Sequence, residues 1–380
     1  MPAQTVNVKI HGFSALPEVQ LFCLADKSQC SNSVNRENDH SYSDKKEEKQ
    51  MKISTLSVAT CMALTMAAPA AYAQWQPTKA IEIVVPFSPG GASDQMARII
   101  QATITKHNLV KQPIVIQNKA GASGAEGLID VASDKGNAHK IIVASTAIYT
   151  VPLASSVPFN WRDLNPIAMI AQDQFVLWVN ASAPYTTVKD YIAAAKQKPE
   201  AFRMGGTSSK REDQVITAQV EQATGAKFTY IPYKGGGEVS TQLVGKHLES
   251  CTNNPSESIA QWRANQLRAL CVFDSNRINY KAKITETQAW SDIPTCKEAG
   301  LDVQYTMLRG IFMPTEVTAE QTKFYVDLFA KIVATPEWKE YLEKNALKQE
   351  FVTGEAFNTF LAKDENRHRE IMKAAGFLKK

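Results

Sequence analysis

Short apolar runs alternate with segments of helical period along most of the chain beyond residue 74. Runs of strand length fall at Ile81–Phe87, Ile114–Gln117, Lys140–Ala144, Phe175–Asn180, Phe202–Gly205, Phe228–Pro232 and Leu267–Phe273. Between them, apolar residues recur every three or four positions over 93–107, 188–197, 212–225, 238–247 and 256–264. This alternation predicts an α/β fold built on mainly parallel sheets flanked by helices. From Ala319 onward the pattern is amphipathic and highly charged, punctuated by Thr335-Pro336 and Thr353-Gly354. It predicts a series of helices covering one part of the molecule. No internal repeat or low-complexity segment interrupts the pattern beyond residue 74.

The N-terminal part reads differently. Met51-Lys52 supplies a positive start, Ile53–Ala68 an apolar stretch and Ala71-Tyr72-Ala73 a small-x-small cleavage site before Gln74. That order is a secretory signal peptide at 51–73, and it predicts export of the chain that follows. Its apolar stretch is too short to span a bilayer, and no later segment approaches the roughly 20 apolar residues required. Residues 1–50 are polar and irregular and end in Lys45-Lys46-Glu47-Glu48-Lys49. A signal peptide belongs at a true N-terminus, so this segment is expected to be an upstream, non-native or disordered extension.

With 42 basic against 38 acidic residues, 44% hydrophobic and 21% charged, the 380-residue chain has ordinary globular composition. The basic excess is small and scattered, so no nucleic-acid partner is expected. Of six cysteines, Cys251, Cys271 and Cys296 follow the cleavage site and permit one disulfide at most. Cys271 lies within the apolar run 267–273, where the favoured reading is a buried thiol acting as a small hydrophobe. No Cys/His spacing suggests a metal site, and no cofactor is expected.

Three glycine-rich turns join a strand to a helix. The first is Val85-Pro-Phe-Ser-Pro-Gly-Gly-Ala-Ser-Asp94, where Gly90 and Gly91 let a ligand approach the main chain. Ser93 is expected to cap the helix and Asp94 to favour its first turn. The second is Gly205-Gly-Thr-Ser-Ser-Lys210, where Ser209 with Glu212 fits a capping box and Lys210 lies at the rim. Tyr233-Lys-Gly-Gly-Gly-Glu238 is the third. Free amides at such helix starts attract anions, and in open sheets these turns gather at the strands' carboxyl ends. Phe87, Tyr149 and Tyr233 stand beside the turns and could sandwich an apolar ligand body or pack at an interface.

Enzyme signatures fail. Gly121-Ala-Ser-Gly-Ala125 misses the nucleophile-elbow spacing, and there is no Walker lysine, zinc-protease helix or dinucleotide fingerprint. His107, His139, His247 and His368 have no obvious nucleophile beside them in sequence. The chain is expected not to be an enzyme, and no catalytic residue is assigned.

Four segments taken in order resemble the tripartite tricarboxylate transporter receptors, also called Bug receptors: Ile83–Asp94, Val115–Gly124, Tyr233–Gly237 and Arg309–Pro314. The resemblance covers essentially 74–380. It implies a two-lobed periplasmic binding protein of Venus-flytrap type, with 74–173 and 277–380 forming one lobe and 174–276 the other. It further implies a small di-, tri- or aromatic carboxylate held between the lobes, partly by main-chain amides, and delivered to membrane transporter subunits. Carried over by position, Phe87, Ser88, Pro89, Gly90, Gly91, Ala92 and Ser93 form one wall, and Gly206, Thr207, Ser208 and Ser209 the other. Asp94, Tyr149 and Tyr233 stand beside them, and Thr146 and Asn253 lie at further strand ends. A monomer is expected, since lobe closure needs no partner chain. A secreted α/β hydrolase or isomerase, and a carboxylate sensor feeding a histidine kinase, are the alternatives.

Overall fold

A computed structural model of the chain describes residues 75–379. The signal peptide read at 51–73 and the segment 1–50 lie outside the described residues. Two sheets flanked by helices make up the fold. The first has strand order β11-β4-β10-β3-β1-β2, from β1 (Ile81–Val85), β2 (Ile114–Asn118), β3 (Lys140–Ala144), β4 (Leu164–Gln174), β10 (Thr306–Pro314) and β11 (Lys348–Thr353). The second has order β7-β6-β8-β5-β9, from β5 (Val176–Asn180), β6 (Phe202–Thr207), β7 (Phe228–Tyr233), β8 (Ser250–Asn253) and β9 (Leu267–Val272).

The helices in chain order are α1 (Ala92–Lys106), α2 (Ala125–Ser133), α3 (Ala147–Ala154), α4 (Val188–Gln197), α5 (Glu212–Thr224), α6 (Gly236–Val244), α7 (Pro255–Arg263), α8 (Ala319–Ala334), α9 (Pro336–Asn345) and α10 (Gly354–Ala374). Strand β1 shows why the apolar runs were legible. Ile81, Ile83 and Val85 join an apolar cluster with Ile100 and Phe329, while Val84 points into another with Leu128 and Phe312. A strand covered on both faces must be apolar at nearly every position.

The sheets are mixed, not mainly parallel. In the first, β1 pairs parallel with β2 and β3, but β10–β3, β10–β4 and β11–β4 are antiparallel. In the second, β6 pairs parallel with β7 and β8, whereas β5 runs antiparallel to both β8 and β9. An apolar run reports burial on both faces and says nothing of direction. The direction is set by how the chain changes sheet. It leaves the first sheet at Gln174 and enters the second at Val176, and it returns through 273–305 to β10.

Two further expectations give way. The region 319–380 is not purely helical, because β11 is an edge strand on β4. Its residues are largely exposed and alternate weakly, so only the partner strand decides its conformation. Cys271 is not a free thiol: it is joined to Cys296, which fastens the returning segment to β9. Among the described residues, Cys251 is the free cysteine, and it is buried. No helix among the described residues is long and apolar enough to cross a membrane.

Candidate binding site

The first turn places its main chain open to solvent. Gly90 has φ +84, a left-handed conformation that glycine adopts without strain. Gly91 precedes α1 in extended conformation, and no side chain caps the helix. Ser93, expected to be the cap, is buried and instead accepts a hydrogen bond from Arg309 Nη1 at 2.8 Å. Asp94 turns back under the loop. It accepts from Gly90 N at 2.9 Å, Arg98 Nε at 2.8 Å and Asn118 Nδ2 at 3.0 Å. Burial works against its charge, but Arg98 and the other two donors prevail and hold the carboxyl below its ordinary range. Asp94 therefore fastens the turn and does not line the cleft.

The second turn is closed upon itself. Thr207 N donates to Asp213 Oδ2 at 2.9 Å, Ser208 N to the Tyr233 carbonyl at 2.8 Å, and Lys210 N to Gln214 Oε1 at 2.6 Å. The Ser208 carbonyl accepts from the Tyr230 hydroxyl at 2.8 Å. Gly206 is buried against Asp213, and Ser209 points to solvent. The capping box of Ser209 with Glu212 does not form, because α5 begins at Glu212 itself and Arg211 is its N-cap. Of the expected second wall, only Thr207 reaches the cleft.

The third turn takes over that wall. Gly235 precedes α6 in extended conformation, and no side chain caps this helix either. Gly236 is required by close approach: a Cβ there would stand 2.1 Å from Glu257 Oε2. Asn253, expected at the ligand, supports the turn from behind, donating through Nδ2 to the Gly236 carbonyl at 2.7 Å and to Ser240 Oγ at 2.9 Å. Tyr233 packs against the apolar cluster of Trp178 and Leu243. A fourth helix start, Asn254–Pro255, brings Glu257 into the same place.

These segments surround a cleft of about 410 Å³. Phe87 through Ser93 line it on the side of the first sheet, and Thr207, Arg211–Asp213, Lys234–Glu238 and Glu257 on the side of the second. Phe175 and Met307 supply apolar surface beside Phe87. Thr146 lies one bond behind, its buried hydroxyl donating to Glu212. Tyr149 is remote from the cleft, buried beside His368 with its ring 5.5 Å away.

Five charged residues that the sequence did not point to as site residues dominate the cleft: Arg211, Glu212, Asp213, Glu257 and Arg309. Arg211 and Glu212 form a buried pair at 3.0 Å. Burial opposes the Glu212 charge, but Arg211 outweighs it and brings the pKa to about 2. Arg211 also donates to the Ser123 carbonyl at 2.9 Å and sits 5.1 Å from the centre of the Phe87 ring. Arg309 is buried with Asp173, to which Nε donates at 3.1 Å. Burial, and then Glu257, push Asp213 well above the ordinary carboxylate range. Glu257 is pushed up to about 7 by burial, reinforced by Asp173.

The sequence profile described as "Tripartite tricarboxylate transporter family receptor" matches residues 96–377. The chain belongs to that receptor family. The receptor is 26% identical, over 84% of its length and 95% of the relative, to the UPF0065 protein in the gbd 5' region of Cupriavidus necator. It is 29% identical to protein BugT of Bordetella pertussis, over 59% of this chain and 67% of BugT. Among solved structures it is similar to a TctC solute binding protein from Polaromonas, with TM-score 0.61 and 29% identity over 78% of this chain and 99% of that one. Its fold also matches that of R. palustris Rpa4515 with adipate, with TM-score 0.72 and 24% identity over 79% of this chain and 98% of that one.

In the receptor, then, two uncapped helix starts borne by different sheets open onto one cavity. Each exposes N–H groups at the positive end of a helix dipole. An anion between α1 and α6 would meet amides from both sides. The flanking carboxylates restrict what else such an anion can carry.

Proposed function

We propose that this receptor is exported to the periplasm, captures a small carboxylate, and passes it to the membrane subunits of a tripartite tricarboxylate-type transporter. Capture proceeds by closing a lobe of residues 174–276 onto one formed by 74–173 and 277–380. The observation that supports this most is the pairing of uncapped helix starts, at Gly91–Ser93 and Gly235–Gly237, across one cleft of about 410 Å³. Such helix starts are anion sites by construction, and their amides hold a carboxylate without a dedicated side chain. Phe87, Phe175 and Met307 offer an apolar wall for the ligand's body. A volume of this size suits a small organic acid. A structure of the same fold is described with adipate and another with malate.

Binding is the whole of the proposed action. A ligand held more tightly by the closed form shifts the open–closed equilibrium toward it, and the closed form is what the membrane subunits would read. Calorimetric titration with mono-, di-, tri- and aromatic carboxylates and amino acids tests the reading. At about 100 times its dissociation constant, a true ligand adds roughly 2.7 kcal/mol to the unfolding free energy. Absence of binding across the whole panel overturns it.

A further inference from the structure

We propose that the ligand carries an amino group beside its carboxylate, and that Glu257 receives that group. This rests on the receptor reading above and narrows its ligand class to zwitterions of amino-acid type. The cleft presents three cations, Arg211, Lys234 and Arg309, against four carboxylates, Glu212, Asp213, Glu238 and Glu257. The two arginines are already paired, Arg211 with Glu212 and Arg309 with Asp173. Lys234 is exposed. Asp213 and Glu257 have no salt-bridge partner among the described residues. Glu257 Oε2 accepts from the Asn254 amide at 3.3 Å, and Oε1 accepts from no described group.

The position of Glu257 decides the class. Its carboxylate lies against Gly236, between the two glycines whose amides are open to the cleft. One corner therefore offers N–H donors to an anion and a carboxylate to a cation. A zwitterion satisfies both at once. A fully ionised di- or tricarboxylate would set a second negative charge near Glu257 at a few ångströms in a partly desolvated cleft, which is strongly unfavourable. The amides of the second turn cannot offset this, because Asp213, Tyr233 and Gln214 already occupy them. With its carboxyl at about 7, Glu257 is readily ionised by an arriving ammonium group.

The test is titration of the full protein at about pH 8, where Glu257 is ionised, with acids matched except for the amino group: glutarate and glutamate, succinate and aspartate, 3-phenylpropionate and phenylalanine. In at least one pair the amino member should bind at least about tenfold more tightly, the ratio expected of a charge-assisted hydrogen bond. Glu257→Gln keeps the shape of the side chain and should erase that ratio, with the ligand-free melting midpoint as the check on folding. The proposal is overturned if parent acids bind as tightly as their amino partners, as they would if a protonated Glu257 received a second carboxylate. An unchanged ratio in Glu257→Gln overturns it too. If none of these acids binds while a tricarboxylate does, this inference is overturned and the receptor reading stands; if nothing in the wider carboxylate panel binds, both fall.

Discussion

Arg211, the residue that opens α5 on the second sheet, donates through Nη1 to the carbonyl of Ser123, which follows β2 of the first sheet, at 2.9 Å. Its other partner, Glu212, accepts from Thr146, which follows β3. One buried ion pair thus ties the two halves of the cleft together.

That pair should behave as a unit. Arg211→Met leaves the buried Glu212 without its cation and should cost about 3–5 kcal/mol of stability. The double variant Arg211→Met/Glu212→Gln removes the orphaned charge and should recover most of that loss. Denaturant melts of the three proteins measure it. Equal stability of the single and double variants would show that the pair is not the tie described.

Gly91 should be essential for ligand and dispensable for folding. Its φ of −74 is open to any residue, and an added Cβ would meet only the Ser88 carbonyl at 3.5 Å. Gly91→Val therefore keeps the fold but sets a branched side chain over the amides of α1. We expect an unchanged ligand-free melting midpoint and loss of the ligand-induced rise. Retained affinity would remove this turn from the site.

Stability should depend on pH through two cleft residues with opposite signs. Glu257 titrates at about 7 in the folded protein against an ordinary 4.5, so the folded state holds its proton more firmly. Its contribution is fully present below about 4.5 and is lost as pH rises through about 7, by about 3 kcal/mol. Glu212, at about 2 against 4.5, contributes above about 4.5 and loses that contribution as pH falls toward 2. Urea unfolding at about pH 5 and pH 8 should show a fall that Glu257→Gln reduces. An equal fall in the variant would contradict the assignment.

The bond between Cys271 and Cys296 closes a loop across a sequence separation of 25. A loop of that length gives about 3 kcal/mol of stabilisation in the chain-entropy account. Reduction, or the double change to serine, should lower the melting midpoint by several degrees. An unmoved midpoint would mean that the returning segment is held by its other contacts alone.

Much of the α/β frame was legible in the residues. The runs at β1, β3, β5, β6 and β9 are apolar because they are largely buried, and burial of that kind is written directly into composition. The exposed edge strand β11 and the crossing strands β4 and β10 were not read, because their conformation depends on a partner strand distant in sequence. Strand direction escaped for the same reason.

The site divides along a similar line. The sequence alone determined that three glycine-rich turns end strands and open helices, and that the first offers its main chain, because glycine spacing is a local property. Only the tertiary structure decided which turn stands opposite. The amides of Thr207, Ser208 and Lys210 are taken by Asp213, Tyr233 and Gln214, so the second turn gives way to Gly235–Gly237. The same is true of Glu257, an ordinary helix-start glutamate in sequence. Its half-buried place, its contact with Gly236 and the lack of a cation beside it arise from packing, and it is these that determine what charge the cleft can accept.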